Sequence, residues 1–195
     1  CQYRRLQSAN SILDGASGWI TEKIMKVSGR NIKKRLYKLS LLKDEITRAK
    51  YYRGYGIHSP FVYGLIRKVF MCGKLYDSEN APLYDALISA GVVRKRAVQL
   101  QNAMSYCCCK TFGINGDGSA DFNVFTVEYP VERLAEAYEA TKRHGTILVV
   151  MSPYANRERR DECRRIVESH KSTSVDNRGY TIILNNKLPK QHFRL

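Results

Sequence analysis

The chain has 195 residues, 44% of them hydrophobic, and a formal charge of +15. That is enough apolar material for one buried core, and one domain with an appended arm is the expected organisation. No run reaches the ~18 to 20 apolar residues of a membrane helix, and the first residues lack the charged-then-apolar pattern of a secretory signal, so a soluble, cytoplasmic protein is expected.

The charge is uneven. Residues 1–75 carry 16 Lys/Arg against 4 Asp/Glu, a net of +12, while residues 76–195 carry 17 against 14, a net of +3. Residues 1–53 are therefore read as a basic, partly helical arm and residues 54–195 as the main domain. Within the arm, Ile32, Leu36, Leu39, Leu42 and Ile46 recur at helical spacing, which predicts an amphipathic helix over 31–52. Ser59 before Pro60 is a good cap and first-turn pair, and a helix is expected from Pro60 to about Phe70.

The second half alternates strand and helix signals. Leu83 to Ala90 reads as helix, Ala97 to Leu100 as a short buried strand, and residues 102–112 as helix. Gly113 to Asp121 reads as a loop, rich in Gly, Asn, Asp and Ser. Phe122 to Val127 is an expected strand, and a helix through Leu134 and Tyr138 should close at Gly145. Thr146 to Met151 is the clearest buried strand. Ser152-Pro153 should open a charged helix to about Ser169, and Thr173 to Val175 should pair with Tyr180 to Leu184. This order predicts an α/β fold of about five strands, mostly parallel, with a C-terminal antiparallel hairpin.

Two segments carry a family resemblance. Gly54 to Tyr63, reading GYGIHSPFVY, resembles the HGxHSPFVY segment of a family of bacterial class I SAM-dependent methyltransferase-like proteins. The stretch Thr146 to Leu195, with Gly179 before Thr181-Ile182-Ile183-Leu184 and then Lys190-Gln191-His192-Phe193, is similar to that family's strand–helix–hairpin ending. The resemblance implies a Rossmann-like sheet that binds SAM at a glycine-rich turn after its first strand. The matching positions here are Gln99, Gln101, Asn102 and Ser105, where the family has an acid and glycines. A side chain at Gln101 would fill cofactor space and disfavour positive φ. The ten residues between Phe112 and Phe122 leave no room for the family's ribose-binding strand. Met151-Ser152-Pro153 stands where the family has an acidic pair. These three departures imply a shortened, degenerate member with no retained cofactor and no catalytic residue.

The remaining constellations weigh towards structure. His58, beside Ser59, Pro60 and Phe61, is a candidate proton carrier but reads more simply as a loop-orienting residue. Cys107, Cys108 and Cys109 point about 100° apart on a helix and so cannot converge on a metal. Gly113 to Gly118 has a GxxGxG look but follows a helix and precedes a strand, the reverse of a phosphate loop. Lys33, Lys34, Arg35, Lys38, Arg48, Lys50 and Arg53, interleaved with tyrosines, are the candidate surface for an anionic partner. The expected function is a non-catalytic interaction or scaffold protein, with a protein partner or self-association. The alternatives are an active SAM-dependent methyltransferase with an atypical cofactor site, and an RNA/DNA-binding protein. A membrane-surface role for the basic helix ranks below nucleic acid.

Overall fold

A computed structural model describes residues 57–195 together with Ile32, Arg35–Tyr37 and Leu39. The chain divides into two compact units, Cys1–Glu45 and Ile46–Leu195. In the first, Ile32, Arg35–Tyr37 and Leu39 are helical. The rest of the expected 31–52 helix, with Lys33, Lys34, Lys38, Arg48, Lys50 and Arg53, lies outside the described residues.

The second unit is a mixed six-stranded sheet with helices on both faces. Its strands are β1 (Phe112–Ile114), β2 (Phe122–Phe125), β3 (Ile147–Met151), β4 (Ser174–Asp176), β5 (Tyr180–Leu184) and β6 (His192–Arg194). They lie in the order β1-β2-β3-β5-β4-β6. The β1–β2, β2–β3 and β4–β6 pairs are parallel, and β3–β5 and β4–β5 are antiparallel. The helices are α1 (Pro60–Gly64), running into a π-helical turn (Leu65–Phe70), then α2 (Pro82–Ser89), α3 (Arg94–Tyr106), α4 (Leu134–His144) and α5 (Arg157–Ser169).

Side-chain alternation explains the three layers. Phe122, Val124, Val149, Met151, Tyr180 and Ile182 face a core shared with Leu65, Leu83, Leu87 and Leu100. Phe125, Leu148, Val150 and Ile183 face a second core with Leu134, Tyr138, Cys163 and Ile166. A strand covered on both faces must be apolar at every position, which is why Ile147–Met151 reads as an unbroken run. Each fully buried leucine contributes about 2 kcal/mol.

Several expectations hold locally. Ser59 caps α1, its Oγ accepting from the Val62 N–H at 3.4 Å. Gly145 closes α4 with φ 69°, in the left-handed region that glycine adopts without strain. The hairpin turns through Arg178, at φ 53°.

Four expectations are corrected. Ala97 to Leu100 is not a strand but the middle of α3, because Ala97, Leu100, Ala103 and Met104 share a helical stripe packed into the first core. That helix ends at Tyr106, and Phe112 already belongs to β1, so Gly113 and Ile114 are strand and not loop. The charged helix opens at Arg157, capped by Asn156 Oδ1 accepting from the Arg159 N–H at 2.7 Å, and not at Ser152-Pro153. Finally, the sheet has six strands because β1 and β6, three residues each, pair only at its edges.

Candidate functional site

Gln99, Gln101 and Asn102, which the resemblance sets at a strand end, lie on α3 and are buried. Their amides hold the surrounding backbone. Gln99 Nε2 donates to the Phe70 carbonyl at 2.7 Å, and Gln99 Oε1 accepts from Arg96 at 2.9 Å and from the Tyr180 hydroxyl at 3.2 Å. Gln101 Oε1 accepts from the Tyr84 N–H at 3.1 Å. Asn102 accepts from the Tyr76 N–H at 3.0 Å and donates to the Lys74 carbonyl at 2.8 Å. These three side chains pin the segment from Phe70 to Tyr84, which has little regular structure of its own, so their polarity satisfies buried backbone groups. Ser105 is exposed and donates to the Gln101 carbonyl one turn back. Burial raises the Tyr180 phenol well above its ordinary value, against the opposing pull of its hydrogen bond from Asn177 and of the Arg96 charge.

The carboxyl ends of the central strands are where open α/β sheets place ligands. Here that end is occupied by Arg159, 1% exposed. Its guanidinium donates to the carbonyls of Met151 at 3.0 Å, Tyr129 at 3.0 Å, Thr126 at 2.6 Å and Phe125 at 3.4 Å. It therefore joins the ends of β2 and β3 to the segment that follows β2. Burial lowers its pKa from the ordinary arginine value. From the sequence this helix is expected only as a charged one, and Arg159 is not singled out. The missed signal is spacing, since Arg159 lies on one helical stripe with the buried Cys163 and Ile166. Ser152 has φ 48° and donates its N–H to the Gly179 carbonyl at 2.8 Å. Nearby, the Tyr154 hydroxyl donates to the buried Asp176 carboxylate.

At the opposite, amino end of the sheet lies an open cleft of about 550 Å3. Phe61, Cys107–Lys110, Asp121, His144–Ile147 and Leu184–Asn186 line it. Asp121 Oδ2 accepts from the Lys110 and Thr111 N–H groups, each at 2.9 Å. Those bonds hold its pKa below the ordinary carboxylate value. The three cysteines end α3 in a Schellman motif: the Cys109 N–H reaches the Met104 carbonyl at 3.1 Å and the Cys108 N–H the Ser105 carbonyl at 3.0 Å. Cys108 has φ 57°, at the position usually filled by glycine. Burial pushes the Cys107 thiol up to about 12 and the Cys109 thiol up to about 11, so both are protonated near neutral pH and poor nucleophiles. Among the described residues no group of three or more His, Cys, Asp or Glu side chains is placed to hold a metal.

His58 is exposed, Phe61 is half-buried on the rim of the cleft, and its carbonyl accepts from the Tyr106 hydroxyl at 3.2 Å. That hydroxyl sits where a side chain on residue 64 would begin, which explains Gly64. The structure thus separates the expected site residues: Gln99 to Asn102 are interior, and of the HSPF segment Phe61 borders the amino-end cleft. Among the described residues no helix is long and apolar enough to cross a membrane. Comparison with protein-family models, with curated proteins and with solved structures returned no match.

Proposed function

We propose that this protein is a non-catalytic, methyltransferase-like α/β scaffold with a reduced Rossmann-like sheet, whose basic arm engages an anionic or protein partner. The observation that carries the reading is the engagement of Gln99, Gln101 and Asn102 by the protein's own backbone. These buried amides are committed to the protein's own backbone, and freeing them for a ligand would leave polar groups of the Phe70–Tyr84 segment unsatisfied. The Arg159 plug at the carboxyl ends of β2 and β3 supports the same reading, because a guanidinium fills the place where a cofactor would approach. The net charge of +12 in residues 1–75 and the exposed Arg35 support an anionic partner for the arm.

Calorimetric titration with SAM and S-adenosylhomocysteine, alongside thermal shift, tests this. The expected result is no heat and no change in melting temperature at millimolar ligand. Binding in the micromolar range would overturn the reading and put an active methyltransferase in its place.

A further inference from the structure

Strand direction places a row of cations at one end of the sheet. β1, β2, β3, β4 and β6 all start at the amino end of the sheet, and β5 finishes there. Lys110 precedes β1, Arg143 in the last turn of α4 precedes β3, Lys187 follows β5, Lys171 precedes β4 and Lys190 precedes β6. All five are exposed residues. In spatial order they run across the whole sheet, whose six strands at ~4.8 Å spacing make an edge of ~24 Å.

The acids at this end are already engaged. Asp121 accepts from the Lys110 and Thr111 N–H groups, Asp117 accepts from the Ser119 N–H and hydroxyl, and Glu168 faces Arg164 at 3.8 Å. Among the described residues, Lys110, Arg143, Lys171 and Lys187 form no ion pair, whereas the neighbouring Lys142 pairs with Glu139 at 3.1 Å. The opposite end mixes signs, with Glu128, Asp161 and Asp176 among Arg157, Arg178 and Arg194. The cationic row is also not flat. It borders the 550 Å3 cleft, which Phe61, Asn185 and Asn186 line together with the backbone-bonded Asp121.

We infer that the amino edge of the sheet is a track for the phosphodiester backbone of a nucleic-acid strand. A linear polyanion suits this surface better than a compact anion. The cations come from three loops and the carboxyl end of α4, spread over ~24 Å, and the cleft beside them is lined in part by Phe61, an aromatic residue of the type that meets unpaired bases. The inference rests on the reading of the domain as a module for an anionic partner, but it assigns that partner to the sheet edge and not to the arm alone.

The test uses the full chain, a fluorescein-labelled 20-nucleotide oligouridylate and a 20-base-pair DNA duplex, titrated by anisotropy from 50 to 300 mM salt. The rim variant combines Lys110→Gln, Arg143→Gln, Lys171→Gln and Lys187→Gln; Lys190 is left because its Nζ donates to the Glu168 carbonyl at 2.6 Å. Against wild type, this variant should bind the oligouridylate at least tenfold more weakly at 50 mM salt. Its slope of log affinity against log salt should fall by roughly 3, since each lost phosphate contact on a single strand contributes about 0.7. An arm variant with Lys33→Gln, Lys34→Gln, Arg35→Gln and Lys38→Gln should keep the rim contribution. Equal binding by wild type and the rim variant, with binding lost in the arm variant, overturns the track while leaving the scaffold reading intact. So does binding confined to phosphatidylserine vesicles. If the rim variant does not fold, ultraviolet cross-linking of wild type decides: cross-links in 107–111, 143–147 and 185–191 support the track, and cross-links confined to residues 1–53 overturn it.

Discussion

Replacing Arg159 by methionine gives the sharpest test of how the carboxyl end of the sheet is held. Methionine keeps the side chain's length and apolar stem but removes every donor. Four carbonyls, on Phe125, Thr126, Tyr129 and Met151, then lose their charged partner inside the protein. Hydrogen bonds from a charged donor are worth about 1.5–3 kcal/mol each, so a plain sum would reach about 6–12 kcal/mol. The sum overshoots, because burying a guanidinium costs several kcal/mol that the variant recovers. A net loss of about 3–5 kcal/mol remains after that recovery, because each buried carbonyl left without a donor costs about 1–3 kcal/mol. For a unit of this size that corresponds to a fall in melting temperature of roughly 6–20 °C. Urea and thermal unfolding followed by circular dichroism measure it. Arg164→Met serves as the control, since Arg164 sits on the exposed face with only a 3.8 Å contact to Glu168 and should change stability by less than about 0.5 kcal/mol. A loss below about 1 kcal/mol for Arg159→Met would refute the claim that this guanidinium joins the strand ends.

Three further outcomes follow from single residues. Asn102→Ala should cost about 2–3 kcal/mol in urea unfolding, because the Tyr76 N–H and Lys74 carbonyl lose their partner, and Lys74–Tyr76 amides should exchange faster with deuterium. Cys108→Gly should raise stability by about 0.5–1 kcal/mol in thermal unfolding, since φ 57° at the end of α3 strains a side chain but not glycine; a loss of stability would sink the Schellman assignment. His170 is buried between the Tyr138 hydroxyl and the Leu184 carbonyl, and burial lowers its pKa below 6.5. The unfolded chain therefore takes up the proton first, so this contribution to stability is present above about pH 6.5 and declines as pH falls below it. In His170→Gln the unfolding midpoint should vary less with pH between 5 and 7 than in wild type.

Much of the fold is legible in the sequence because its strongest elements are local. The apolar run Ile147–Met151, the stripe through Leu134 and Tyr138 ended by Gly145, the Ser59–Pro60 helix start and the Tyr180–Leu184 strand each carry their period and their stop signal within a dozen residues. Four-residue stretches are less informative. Ala97-Val98-Gln99-Leu100 fits a buried strand or a helix turn equally, and only packing against Leu65, Leu83 and Leu87 selects the helix. His192-Phe193-Arg194 becomes a strand only because β4 lies alongside it.

The α/β class, the basic first two-fifths and the order of most elements are legible in one dimension, since hydrophobic period and charge are properties of neighbouring residues. The tertiary structure alone decided which polar residues go inside. Gln99, Gln101 and Asn102 are buried because the Phe70–Tyr84 backbone supplies their partners, and Arg159 is buried because two strand ends and the segment after β2 converge on it. The row of cations at the amino edge is likewise invisible in one dimension. Lys110, Arg143, Lys171, Lys187 and Lys190 are spread over some eighty residues, and only the directions of six strands bring them to one end of the sheet.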